Sequence, residues 1–212
     1  MKSDKIQAYI ENLIPDRPDF FIQMEAYASE NNVPIMELAG MEAMLQFLRL
    51  TQPERILEVG TAIGYSALRM ADALPNARIT TIERDVERAA LAQQYIKQLG
   101  KEEQIELIIG DALEVEADVA SSSPYDVIFI DAAKGQYKKF FELYSGYLTE
   151  QGIIVTDNVL FKGLVAEEQI ESKRTANLVK KIRQFNEWLM KHSDYHTVII
   201  PVGDGVAISK KR

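Results

Sequence analysis

Asp131, Asp157 and Asn158 are the residues whose types and spacing most directly imply chemistry. Asp131 sits in FIDAAK (129–134) and the other two in TDN (156–158), each just after a short apolar run. Aspartate and asparagine oxygens are hard ligands suited to Mg2+ or Ca2+, and three protein oxygens leave positions open for water and substrate. A catalytic cation requires such an open shell. The chain contains no cysteine, which excludes disulfides, thiolate ligands and a cysteine nucleophile together. Helix capping is the competing use for aspartates at strand ends. Lys134 weighs against it: three residues after Asp131 and beside a dication, its charged form is disfavoured and it can act as a base.

A second group of residues points to a nucleoside. The segment LEVGTAIGYS (57–66) runs from an apolar stretch into a turn flanked by Gly60 and Gly64, where glycine permits positive φ and close backbone approach to a ligand. The spacing is G-x-x-x-G, not the G-x-G-x-x-G that wraps a pyrophosphate, so an NAD-dependent enzyme is the weaker reading. Glu58, at the buried end of its strand, costs desolvation unless a donor or cation meets it, and the ammonium group of an amino-acid-like ligand would do so. Glu83 falls roughly 20 residues beyond the glycine turn, where an acid accepts hydrogen bonds from ribose hydroxyls. Asp111, in GDA (110–112), adds a third acid to the same edge. Together the edge suits adenosine with a cationic amino-acid tail.

The elements that must position these residues alternate. Runs 55–59, 79–83, 105–109, 126–131 and 152–157 are apolar on both faces, as buried parallel strands are. Helical stretches at Tyr65–Leu74, Glu87–Leu99 and Gln136–Leu148 are long enough to cross back over the sheet. This is a doubly wound α/β fold, whose ligands sit beyond the carboxyl ends of its strands. A long helix over Arg174–Lys191 precedes runs 197–201 and 206–209, joined through GDG (203–205) as an antiparallel hairpin whose glycines read as turn chemistry. Helices at Ile6–Leu13, Asp19–Asn31 and Glu42–Leu50 make residues 1–50 a helical cap on the core at 51–212, all within one domain. Phe20, Phe21, Met24 and Tyr27 either form a dimer face or pack on the sheet.

Composition sets the outer bounds. With 47% hydrophobic and 26% charged residues, the 212-residue chain has neither the bias of a disordered protein nor that of a fibrous one. No stretch approaches the ~18 consecutive apolar residues of a membrane span, and the first residues lack a secretory apolar run, so a cytoplasmic protein with no membrane partner is expected. A net charge of −8 argues against nucleic-acid binding by global electrostatics. The charge is uneven, however: residues 134–212 carry 13 Lys/Arg against 9 Asp/Glu. Lys134, Lys138, Lys139, Lys162, Lys173, Arg174, Lys180, Lys181, Arg183, Lys210, Lys211 and Arg212 all belong to that half. The loop 159–173 can close over the cation site with Phe161 and Leu164 available to pack on a base. His192 and His196 read as surface residues.

Taken together, the set LEVG(x)3GYS, IE, GDA, DAAK and DN resembles the cation-dependent O-methyltransferases of the catechol and caffeoyl-coenzyme A type, over Ile35–Arg212. The resemblance implies a class I methyltransferase (Rossmann-like) fold with seven strands in the order 3-2-1-4-5-7-6, the last antiparallel. It implies that S-adenosylmethionine is contacted by Met36, Glu58, Gly60, Ser66, Glu83, Ala112 and Asp131. It further implies that Mg2+ is bound by Asp131, Asp157 and Asn158, with Lys134 as general base. The stretches VPIME (33–37), DNVLFKGLVA (157–166) and IIPVGDGVAISKK (199–211) look most like the bacterial branch that converts 5-hydroxyuridine at the tRNA wobble position to 5-methoxyuridine. That base presents vicinal O4 and O5, a chelating pair like a catechol's. The tRNA anticodon region is then the expected partner, with Lys162 and Arg174 on the RNA side and a homodimer as the assembly. A small catechol or hydroxycinnamoyl acceptor is the alternative, and a non-catalytic nucleotide-binding module is disfavoured by the set Asp131, Lys134, Asp157 and Asn158.

Overall fold

Each apolar run becomes a strand, and the strands meet edge to edge with their carboxyl ends aligned. The computed structural model describes the backbone of residues 2–212 and the side chains from Lys5 onward. β1 (Arg55–Val59), β2 (Arg78–Glu83), β3 (Ile105–Ile109), β4 (Tyr125–Ile130) and β5 (Leu148–Thr156) are parallel, and β6 (Tyr195–Ile200) is joined to β5 through the antiparallel β7 (Val206–Lys211). The order is β3-β2-β1-β4-β5-β7-β6, as the resemblance implied. Only β7 runs against the rest, which returns the β6–β7 turn to the edge where β1, β4 and β5 end.

Period-2 alternation sorts the side chains into two cores. Ile56, Val127, Phe129 and Val155 face α2 (Asp19–Glu30), α3 (Leu38–Thr51), α4 (Tyr65–Ala73) and α5 (Val86–Gln98). Leu57, Val59, Ile128, Ile130 and Ile154 face α6 (Glu116–Ser121), α7 (Tyr137–Tyr144) and α8 (Lys173–Met190). Phe21 and Met24 are buried in the first core with Met41, Met44 and Leu48, so these α2 residues pack inward and leave no dimer face of their own. Tyr27 stays 36% exposed.

Element bounds differ from the sequence expectation where polar residues intervene. α1 covers Lys2–Glu11 in place of Ile6–Leu13. α7 stops at Tyr144, a 3-10 turn over Ser145–Tyr147 follows, and β5 begins at Leu148 in place of Gly152. The polar start of β5, LTEQ, disguised its first turn of pairing, which includes a register irregularity against β4 between Tyr125 and Val127. α6 is short and polar and left no periodic signal.

Candidate active site

Lateral hydrogen bonds carry the strand ends past the last paired residues. Gly60 N–H and Thr61 N–H donate to the Ile82 carbonyl (3.1 Å each), Asp131 N–H to Val59 (2.9 Å), and Asp157 N–H to Ile130 (3.0 Å). These bonds fix the site residues in place without loop flexibility. Gly60 has φ +108, and a Cβ there would stand 2.1 Å from the Asp131 carbonyl oxygen. No other residue lets β1 and β4 approach so closely. Gly64 (φ +86) then opens α4 against Ala92 of α5.

The edge holds a cleft of about 310 Å3, lined among others by Met36, Gly60, Ser66, Glu83, Ala112, Asp131, Lys134 and Asn158. Eight residues singled out from sequence thus share one cavity. At its acidic end, the Glu83 carboxylate accepts from Ala62 N–H and Asp85 N–H at 2.8 Å each, which fixes its rotamer while each oxygen keeps an acceptor site. Arg84 and Arg88 also line this end, the former 3.8 Å from Asp111.

Glu58 departs from expectation. It is 0% exposed and lies beneath the cleft, accepting hydrogen bonds from the Ser66 and Thr81 hydroxyls. Two neutral donors therefore meet the carboxyl where a ligand's ammonium group was expected. Burial pushes its pKa up to about 7, against the lowering effect of the two hydroxyls. Thr81 is its partner in the β1–β2 register, and Thr61 and Thr81 share a 2.6 Å hydroxyl contact.

At the other end, Asp131, Lys134, Asp157 and Asn158 form one hydrogen-bonded group. The Asn158 amide NH2 donates to Asp157 Oδ2 (2.6 Å) and reaches Asp131 Oδ1 (3.3 Å), while Lys134 Nζ donates to Asn158 Oδ1 (2.5 Å). Asp157 is 2% exposed and stands behind Asn158, and Asp131 faces the cleft. Burial raises the pKa of both carboxyls. The Asp131 charge raises Asp157 further, Asp204 adds to both, and Lys134 opposes. The pair is thus a concentration of buried negative charge with one nearby lysine. Among the described residues no group of three or more His, Cys, Asp or Glu surrounds a common point; the donor set here is two carboxylates and an amide. Tyr137, from below, donates its hydroxyl to the Asp157 carbonyl (2.9 Å).

The turn after Asn158 is unusual: Asn158 (φ +61), Phe161 (φ +46) and Lys162 (φ +55) are all left-handed, followed by Gly163 (φ +76). Lys134 Nζ lies 5.8 Å from the centre of the Phe161 ring. Lys162 is exposed at the tip, and Arg174 is exposed in the first turn of α8; neither lines the cleft. Lys181 extends its Nζ over Gly135, beside Lys134. Other cations have different employment. Arg183 binds the carbonyls of Val165 (2.8 Å) and Glu167, and Lys210 and Lys211 bind Gln151 and Glu150 at the opposite sheet edge, which removes the C-terminal cations from this site. His196 is exposed as expected, whereas His192 is half-buried, 4.8 Å from Trp188 and 5.1 Å from Tyr195 between ring centres. Its partners come from α7, α8 and β6, which sequence spacing does not bring together.

Tyr65 and Asp204 were missed. Tyr65 lines the cleft and donates to Glu25 of α2 (2.6 Å), while Arg69, 5% exposed, donates to Tyr65 (2.7 Å) and pairs with Glu42 of α3. The i, i+4 spacing of Tyr65 and Arg69 on α4, a pair able to share one helix face, is the available signal. Asp204 was read as turn chemistry, although the topology carries its hairpin to the reactive edge.

Among the described residues no helix is long and apolar enough to cross a membrane. Residues 15–212 match the protein family described as O-methyltransferase. The chain is 32% identical to a catechol O-methyltransferase of Niastella koreensis, over 97% of this chain and 96% of that protein. It is 28% identical to a caffeoyl-CoA O-methyltransferase of Stellaria longipes, over 100% and 92%. A crystal structure of a candidate caffeoyl-CoA O-methyltransferase from Staphylococcus aureus is 36% identical and covers 100% of this chain and 99% of its own, with a TM-score of 0.89. A Podospora anserina methyltransferase bound to S-adenosylhomocysteine is 25% identical, over 100% and 95%, with a TM-score of 0.85.

Proposed function

The chain belongs to the O-methyltransferase family, and from that premise we propose that it methylates one oxygen of a vicinal pair, using S-adenosylmethionine and a divalent cation, with 5-hydroxyuridine at the tRNA wobble position as acceptor. The observation that carries this reading is the group Asp131, Lys134, Asp157 and Asn158 at one end of a cleft whose other end is lined by Glu83. The donor set fits a hard dication: two buried carboxyls with raised pKa converge on one amide, and a cation between them would relieve both burial and mutual repulsion.

Bound there, the cofactor would supply an electrophilic methyl group, its sulfonium becoming a neutral thioether as the methyl departs, and a cation would supply a positive charge for the acceptor oxygen. The residues do the rest. Of the residues lining the cleft, Glu83 would accept from ribose hydroxyls, and Met36, Gly60, Ser66, Ala112 and Asp131 would hold the rest of the cofactor. Lys134 Nζ, aligned by its bond to Asn158 Oδ1, receives the acceptor's proton. Apolar Ile35, Met36 and Phe140 narrow the cleft and limit screening of the reacting charges. Lys162, Arg174 and Lys181 offer a small basic rim for a backbone, and Phe161 a face for the base.

A specific observation favours a second reading: the relatives act, by name, on catechol and caffeoyl-CoA, so a small vicinal diol is the alternative acceptor. The deciding experiment is nucleoside analysis of tRNA from a strain lacking the gene, beside in vitro turnover of that tRNA and of catechol. Missing 5-methoxyuridine selects the RNA. Unchanged 5-methoxyuridine with catechol turnover selects the small acceptor. The proposal also includes a homodimer; the exposed Ile6, Tyr9 and Ile10 of α1, with Leu13 in the turn that follows it, are a face for it, and a monomer in sedimentation would exclude that assembly.

A further inference from the structure

The GDG turn between β6 and β7 has work beyond turning the chain. It stands against the segment that follows Asn158, and almost every backbone donor of that segment ends on it. Val159 N–H donates to the Gly205 carbonyl (3.0 Å), Leu160 and Phe161 N–H to the Asp204 carbonyl (2.9 and 3.2 Å), and Lys162 N–H to Asp204 Oδ1 (3.1 Å). The held segment, which directly follows Asn158 at φ +61, contains Phe161 and Lys162 at positive φ, a conformation that bulky side chains adopt only when their surroundings impose it. Contact is close enough that a Cβ on Gly205 would stand 2.3 Å from Leu160 Cγ. On its other side the turn rests on the helical cap, with Gly203 packed against Gly40 and Glu37. From the opposite flank, Asn186 of α8 donates to the Val159 carbonyl (2.8 Å).

We propose that Asp204 is a positioning residue for methyl transfer: its side-chain oxygen holds the 158–163 turn in its left-handed form, which sets Asn158 against Asp131 and Asp157 and Phe161 beside Lys134. The backbone bonds to the Asp204 carbonyl survive any substitution; the bond to Lys162 N–H survives only one that keeps an acceptor oxygen at Oδ1. That bond is the turn's side-chain tie at Lys162, itself at φ +55 beside Phe161 at φ +46, so its loss releases the turn from Lys162 backwards. The part that concerns Asn158 rests on the cation reading above.

The test compares Asp204→Ala and Asp204→Asn with the parent full-length chain. Three readouts are measured: the rate of tryptic cleavage after Lys162, followed by mass spectrometry with S-adenosylhomocysteine present, the Kd of Mn2+, and the Kd of S-adenosylhomocysteine. Loss of one acceptor from a strained turn is expected to speed cleavage about tenfold in Asp204→Ala, to weaken Mn2+ several-fold, and to leave S-adenosylhomocysteine unchanged. Asp204→Asn keeps the acceptor oxygen and should cleave at the parent rate. Parent-rate cleavage in Asp204→Ala overturns the proposal, as does equal weakening of Mn2+ and S-adenosylhomocysteine, which marks a general structural role. If Asp204→Ala does not fold, hydrogen exchange in the parent decides: the Lys162 N–H should be protected, and fast exchange there refutes the clamp. A parent that does not bind Mn2+ defeats the cation reading, while cleavage and exchange still judge Asp204.

Discussion

Replacing Glu58 by glutamine isolates the energetic consequence of a buried carboxyl. Burial raises its pKa from 4.5 to about 7, against two hydroxyl donors. The folded protein therefore holds this proton more tightly than the unfolded chain does. Between those two values the native state binds more protons, so unfolding free energy falls as pH rises through the window and is flat on either side. The gap corresponds to roughly 3 kcal/mol. Glutamine carries no titrating proton, and its NH2 must face a hydroxyl that now donates, a fixed cost of about 1 to 2 kcal/mol. A fixed cost shifts the curve without tilting it. The assay is urea unfolding at intervals from pH 4.5 to 8, with chelator and without cofactor. The stability of Glu58→Gln relative to the parent should rise by roughly 3 kcal/mol across that range. Parallel curves would refute the reasoning, because they would mean Glu58 ionises in the fold as easily as in water.

Further outcomes follow from the same geometry. Gly60→Ala sets a Cβ against the Asp131 carbonyl at a φ of +108; a destabilisation of roughly 3 kcal/mol and loss of S-adenosylhomocysteine binding are expected in calorimetry, and parent-like melting would contradict the close approach. Lys134→Met should lower kcat by about 10²- to 10⁴-fold while leaving S-adenosylhomocysteine affinity unchanged; turnover at the parent rate excludes it as base. Asp157→Ala and Asn158→Ala should abolish the response of turnover to added Mg2+, and undiminished activity in chelator would dismiss the cation. Lys162→Ala and Arg174→Ala should each weaken tRNA binding and reduce its salt slope by about 1; affinity equal to the parent's at every salt concentration would clear this rim of RNA.

What could be read from sequence followed strand ends. Period and apolarity located β1 to β4, and the topological rule that ligands gather at carboxyl ends brought Gly60, Glu83, Asp131 and Asn158 to one cleft before any distance was known. Contacts set by register were not readable in this way. Glu58 finds Thr81 because β1 and β2 pair in one alignment, and no spacing along the chain encodes that. Of the donor or cation that Glu58 requires, the fold supplies two hydroxyl donors. Asp204 was hidden by its glycines, which explained themselves as turn residues. Lys210 and Lys211 belong to the positive half of the chain with Lys134 and Lys162, but the reversed direction of β7 carries them to the far edge. Charge tallies by segment ignore strand direction.

That reversal has a practical side. Arg212, just past β7, donates its backbone N–H to the Asp194 carbonyl, beside the beginning of β6 and a full strand length from the cleft. A fluorophore or a surface linker carried at this end of β7 would leave the mouth of the cleft facing away from whatever it is attached to. Immobilised in that orientation, the protein would still present its cleft to a macromolecule as large as a folded RNA.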